Sequence, residues 1–204
     1  MFVQQFSIRS IRCFEQLTVR FERPRDREGG RLGGWYVILG ENGTGKSTVL
    51  KALALTLVGP VHANRLGLNT RTWPRAPANG DQAGMEAKVA LDADDPVSRE
   101  AESRGTVSCG LRLKGASFEP SGDWVSLSEG LWSDVVGGHF AAAYGPFRRI
   151  SSEYAKRRPE EVKESRIASL FMEDLDFQDS LSWLDSLPRT PPAAARHQGG
   201  SAGI

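Results

Sequence analysis

The sequence predicts an α/β fold, and three of its features carry that prediction. Trp35-Tyr36-Val37-Ile38-Leu39 is a continuous apolar run of β-rich composition. A glycine-rich turn follows at once, and then Ser47 to Val58, which holds Val49, Leu50, Leu53, Leu55 and Leu57 and neither Gly nor Pro. Strand, glycine turn and helix in direct succession form the unit from which α/β proteins are built. The strand shows no alternation, which predicts burial on both faces, as in a parallel sheet. Gly59-Pro60 is expected to end the helix.

The remaining elements follow from periodicity. Phe6 and Ile8, then Leu17, Val19 and Phe21, alternate with polar residues. Period two predicts strands with one buried face, and the Arg12-Cys13-Phe14-Glu15 stretch between them predicts a hairpin. Residues 24–34 are rich in Arg, Asp and Gly and read as an exposed loop, as do residues 61–82. Met85, Ala87, Val89 and Leu91 mark another half-buried strand, and Thr106 to Phe118 a further one; together they suggest a small antiparallel unit beside the main sheet. His139 to Tyr144 reads as a short buried strand before Gly145-Pro146. Pro159 to Phe171 predicts a helix with proline in its first turn and Glu160 and Glu161 near its positive end. A short helix from Asp179 to Leu187 is expected after it.

Composition bounds what the chain can do. It has 204 residues, 39% hydrophobic and 25% charged, enough for one domain with a sizeable core. A net charge of +1 excludes a global electrostatic drive towards nucleic acid or anionic membranes. Cys13 and Cys109 lie far apart, which fits neither a disulfide scaffold nor a zinc module. No apolar run approaches the roughly 18 residues of a membrane span. No secretory signal opens the chain, so a cytoplasmic protein is expected. Residues 1–187 are expected to form one lobe. Residues 188–204, rich in Pro, Ala and Gly, read as a disordered tail.

Chemistry concentrates in Gly40-Glu41-Asn42-Gly43-Thr44-Gly45-Lys46-Ser47, which fits GxxxxGK[ST], the P-loop pattern. Glycines let successive backbone N–H groups converge on phosphate oxygens where a side chain would clash. The loop feeds a helix N-terminus, whose free amides and dipole favour anions. Lys46 is placed to reach the β- and γ-phosphates, the Ser47 hydroxyl to ligate Mg²⁺, and Thr48 to add an α-phosphate contact.

With Thr48 and the preceding Ile11-Arg12-Cys13-Phe14, this motif resembles the start of an ABC-type ATPase head of the SMC, RecF and OLD-like class, within the AAA-family ATPases. The resemblance implies an ABC-ATPase-like P-loop NTPase lobe with a mixed sheet. It implies ATP and Mg²⁺ as ligands, and an Arg12 contact to the nucleotide phosphates. It also implies a Walker B strand ending in Asp and Glu and a signature loop from a second protomer, both late in the chain. Val89-Ala90-Leu91-Asp92 alternates and lacks the Glu, and Leu127-Ser128-Glu129-Gly130 comes too early for a signature loop. No catalytic residue is identified, and the lobe is expected to be incomplete at its C-terminus.

The expected function is therefore Mg-ATP binding, with hydrolysis dependent on a second ATPase protomer or a missing C-terminal half. DNA repair or phage defence is the expected setting and DNA a candidate partner; no membrane is involved. The alternatives are a non-hydrolysing regulatory subunit and a nonfunctional truncated remnant. Arg148, Arg149, Lys156, Arg157 and Arg158 form a basic stretch, but Glu153, Glu160, Glu161 and Glu164 interleave with it. A solvated helix face is the expected reading of it, ahead of phosphate contacts to DNA. His62 is expected in a loop, and the tryptophans in or near the core.

Overall fold

A computed structural model describes residues 1–23, 34–76, 83–92, 105–121, 132, 141–146 and 165–172. Five strands form one antiparallel sheet: β1 (Phe2–Ile11), β2 (Phe14–Arg20), β3 (Gly84–Ala90), β4 (Thr106–Lys114) and β5 (Ser117–Ser121), in the order β2-β1-β3-β4-β5. One long helix, α1 (Lys46–Arg65), packs on it, and a single helical turn, α2 (Ser165–Ala168), comes late in the chain. Among the described residues no helix is long and apolar enough to cross a membrane.

The expected hairpin is present, with Ile8 opposite Leu17 and Phe6 opposite Val19. The antiparallel pairing expected between the segments 85–91 and 106–118 is present as β3 with β4. β3 also pairs directly with β1, Phe6 opposite Ala87 and Ile8 opposite Met85, so among the described residues the unit lies beside the hairpin in one sheet. The segment 106–118 is two strands, because Gly115 at φ 58° turns the chain back. Alternation then buries Phe6, Ile8, Met85, Ala87, Val89, Cys109, Leu111 and Leu113 on one face, against Val49, Ala52, Leu55 and Val58 of α1.

α1 does not stop at Gly59. The first helical segment breaks there, at φ 85° and ψ 172°, and a second begins with Pro60 in its first turn. The expected loop thus starts only after Arg65, and His62 is buried on the helix rather than held in a loop. Pro60 has no N–H to offer the Thr56 carbonyl one turn back. The Trp132 indole supplies the missing donor, Nε1 to Thr56 O at 3.0 Å. The same ring covers Gly59, where a Cβ would stand 2.6 Å from Trp132 Cγ. At the far end of α1, Asn64 both donates to and accepts from the Phe118 backbone, at 2.9 Å each, which ties the helix to β5.

The largest departure concerns residues 35–39. They belong to no strand, and Trp35 is fully exposed instead of buried. Every strand neighbour among the described residues is antiparallel, so no parallel partner is present to cover both faces. Residues 141–145 likewise pair with no strand; Ala143 N instead donates to Arg166 O at 3.0 Å. An apolar cavity of about 380 Å³ separates them from Leu50, Leu53 and Leu57 of α1. The helix expected at 159–171 is described only from Ser165, where one turn is helical. The expected helix at 179–187, the tail, the basic stretch and Leu127 to Gly130 lie outside the described residues.

Candidate functional site

The glycine loop sits where the sheet meets the first turn of α1. Gly43 at φ 83° and Gly45 at φ 95° adopt left-handed backbone that only glycine takes up without strain. Thr44 closes the turn between them, its N–H and its hydroxyl both donating to the Glu41 carbonyl, the hydroxyl at 2.8 Å. Gly45 then serves as N-cap of α1 with no side-chain hydrogen bond, and the first turn holds no acidic residue. The leading amides and the positive end of the helix dipole are thus left without a competing anion from the helix itself.

Lys46 folds back over this loop. Its Nζ donates to the Gly40 carbonyl at 2.7 Å and to the Glu41 carbonyl at 2.6 Å. The ammonium is thereby held among the backbone groups that lead into the turn. Glu41, Asn42, Gly43, Thr44 and Ser47 are exposed. Thr48 differs from them: at 6% exposure its side chain faces the core, which leaves its backbone as the part open to the loop.

The β1–β2 turn buttresses the loop from below. A Cβ on Gly45 would lie 2.5 Å from Cys13 Sγ and 2.5 Å from the Phe14 ring, so the close approach requires glycine. The Cys13 thiol also points to the Thr44 carbonyl at 3.9 Å. Ser10 at φ 51° drops out of the strand register and Arg12 at φ 49° makes the turn, which aims Cys13 and Phe14 at the loop. Residues 70–75 strap this turn in place. Arg12 N donates to Trp73 O at 2.7 Å, Arg75 N to Ser10 O at 2.9 Å, and the Arg75 guanidinium to Cys13 O at 2.8 Å. Asn69 caps the short 3-10 turn, Thr70–Thr72, that starts the strap. The Arg12 guanidinium lies over the Trp73 ring, 4.8 Å from its centroid, and its Nε is buried without a hydrogen-bond partner.

Sequence reasoning placed residues 40–48 and Arg12, and the structure brings the β1–β2 turn and the loop together. It missed the strap. Residues 69–75 read as loop, although Asn69 two residues before Arg71 is an Asx-turn pattern and Trp73-Pro74 is an apolar foot.

Asp92 is spent elsewhere. It follows β3 at the end where Ala90 pairs with Phe2, whereas the β1–β2 turn lies beyond Arg9 and Gly84. Those ends are about 30 Å apart at the usual strand rise. There Asp92 accepts from the Met1 amino group at 3.2 Å and from Arg23 at 2.7 Å. Cys109, on the buried face of β4 opposite Ala87 of β3, has its thiol pKa pushed up to about 12, chiefly by desolvation. Among the described residues no group of three or more His, Cys, Asp or Glu could hold a metal ion.

A family model described as AAA domain matches residues 5–166. No curated protein matches the chain. The solved structures similar to it include one from work on ATP-driven dimerization and DNA-stimulated activation of SMC ATPases. That structure is 13% identical, with a TM-score of 0.44, over 66% of this chain and 82% of the other.

Proposed function

The chain belongs to the AAA domain family of ATP-binding ATPases, and from that premise we propose that residues 40–48 bind Mg-ATP. The observation that carries the reading is Lys46, held against the Gly40 and Glu41 carbonyls in front of an uncapped helix N-terminus. Phosphate oxygens take the place of those carbonyls as acceptors for Nζ. The N–H groups of the loop and of the first helical turn face the same anion. The residues suit this ligand: two left-handed glycines leave the loop open, and no acidic side chain stands in the first turn of α1.

Ser47, exposed in that turn, supplies the hydroxyl for Mg²⁺; the ion offsets the charge of the β- and γ-phosphates. Thr48 contributes its backbone N–H. Arg12, with Nε lacking a partner, supplies a second cation for the phosphates. Hydrolysis is proposed to need a Walker B carboxylate pair and a signature loop from a second ATPase protomer or from a C-terminal half of the head. Asp92, paired at the far end of the sheet, favours that reading over turnover by this chain alone. The biological setting we propose is ATP-driven head dimerisation on DNA, in DNA repair or phage defence. The same engagement of Asp92 supports a second reading, a regulatory subunit that binds ATP without hydrolysing it.

The test is titration of the purified chain with a fluorescent ATP analogue and Mg²⁺. Saturable binding that Lys46→Ala abolishes is expected. Folded protein with no measurable binding would overturn both readings. Steady-state hydrolysis above the Lys46→Ala background would show that the carboxylates lie within this chain after all.

A further inference from the structure

Arg12 is the cation that the β1–β2 turn carries beside the loop, and what holds it is an aromatic ring. Its guanidinium carbon lies 4.8 Å from the centroid of the Trp73 ring, and its backbone N–H donates to the Trp73 carbonyl at 2.7 Å. Trp73 is itself fixed. It is 2% exposed, its ring meets Phe118 edge-on at 5.8 Å, and its N–H donates to the Thr70 carbonyl at 3.0 Å. Main chain and side chain of Arg12 are thus both set by one buried residue of the strap. Arg75 adds to the hold: its N–H donates to the Ser10 carbonyl and its guanidinium to the Cys13 carbonyl, on either side of Arg12.

Other arginines of the sheet are anchored differently. Arg112 pairs with Glu119 and Arg23 with Asp92, and a carboxylate occupies the guanidinium N–H groups it binds. Among the described residues no carboxylate pairs with Arg12, and its buried Nε has no hydrogen-bond partner. A ring face attracts the guanidinium charge through its quadrupole and uses none of the five N–H donors. The Trp73 anchor therefore orients the cation and leaves its planar fork for an anion.

We propose that Trp73 is a positioning residue for the nucleotide: its ring holds the Arg12 guanidinium in place for the phosphates, both before the ligand arrives and while it is bound. The proposal rests on the reading of residues 40–48 as the Mg-ATP site. An arginine on a turn samples many rotamers, and ordering it at the moment of binding weakens affinity. Here the ring orders it when the chain folds.

The test is a double-mutant cycle on Mg-ATP affinity, with wild type, Trp73→Leu, Arg12→Ala and the double variant each shown to be folded by circular dichroism. Trp73→Leu is expected to weaken binding about tenfold when Arg12 is present and by less than about twofold when it is Ala. Trp73→Phe, which keeps an aromatic face, is expected to fall between wild type and Trp73→Leu. Equal weakening in both backgrounds would show that Trp73 acts through the fold at large, and would overturn the proposal. A second measurement needs no variant. In the isotope-labelled wild-type chain the Arg12 Nε proton is expected upfield of those of the other arginines, because the ring shields it, and it should stay there as Mg-ATP saturates the loop amides. No shielding without ligand, or its loss on saturation, would overturn the proposal as well. A folded wild-type chain that binds no Mg-ATP overturns the reading of residues 40–48 and this proposal with it. A chain that binds and shows no coupling overturns this proposal alone.

Discussion

Two glycines of the loop make a matched pair of perturbations. Gly43 and Gly45 share left-handed backbone, at φ 83° and 95°, but differ in surroundings. A Cβ on Gly43 meets nothing within 4 Å, whereas one on Gly45 stands 2.5 Å from both Cys13 Sγ and the Phe14 ring. Gly43→Ala therefore costs backbone strain alone, about 1–2 kcal/mol. Gly45→Ala costs the same strain plus the displacement of the Cys13 and Phe14 side chains, and overpacking of that kind adds roughly 1–3 kcal/mol. Neither neighbour moves cheaply, because the strap fixes the Cys13 carbonyl and the Arg12 amide. Urea unfolding followed by far-UV circular dichroism gives both costs on one scale. Gly45→Ala should be the less stable variant by about 1–3 kcal/mol. Equal costs, or the reverse order, would refute the claim that the β1–β2 turn buttresses the loop.

Three further predictions rest on single contacts. Lys46→Ala removes the ammonium that bridges Gly40 and Glu41, so it should abolish Mg-ATP binding while leaving the unfolding midpoint nearly unchanged, as paired titrations of ligand and urea would show. Trp132→Phe keeps the ring over Gly59 but strands the buried Thr56 carbonyl, at a cost of about 1–3 kcal/mol in the same urea assay. Cys109 ionises near pH 9 in the unfolded chain and near 12 in the fold, so its protonated thiol favours the folded state below pH 9. Between those values the unfolded chain loses the proton first, and stability falls as pH rises, by at most about 1.4 kcal/mol per unit. Cys109→Ala should flatten that stretch of the stability–pH curve.

The legibility of this sequence divides along a physical line. Features set by neighbours in the chain were readable: the hairpin, from the alternation of Phe6, Ile8, Leu17 and Val19, and the glycine loop feeding a helix. Features set by distant contacts were not. β3 joins β1 because Ala87 meets Phe6 and Met85 meets Ile8, pairings between residues about 80 apart that no local pattern announces. The strap of residues 69–75 works through backbone groups that any residue carries, so composition there says only loop. At the break in α1 the carbonyl that Pro60 leaves bare is met by the Trp132 indole, 76 residues away, a partner outside any local pattern.

Residues 35–39 are the instructive case, because the reading of burial and the observed exposure describe the same property from two sides. Composition reports what a segment requires, here a covering on both faces. Structure reports what it has, and Trp35, Val37 and Leu39 have none among the described residues. A loop that must hold a phosphate needs both of its flanks fixed, since an anion cradle acts through amides already aimed at the ligand. The α1 flank is fixed by Gly45 against Cys13 and Phe14, and by the Val49 N–H on the Gly45 carbonyl at 3.0 Å. The strand flank hangs on the Tyr36 side chain. Gly40 thus sits on the flank with fewer described contacts, and its carbonyl is one of the two that hold the Lys46 ammonium in front of the helix.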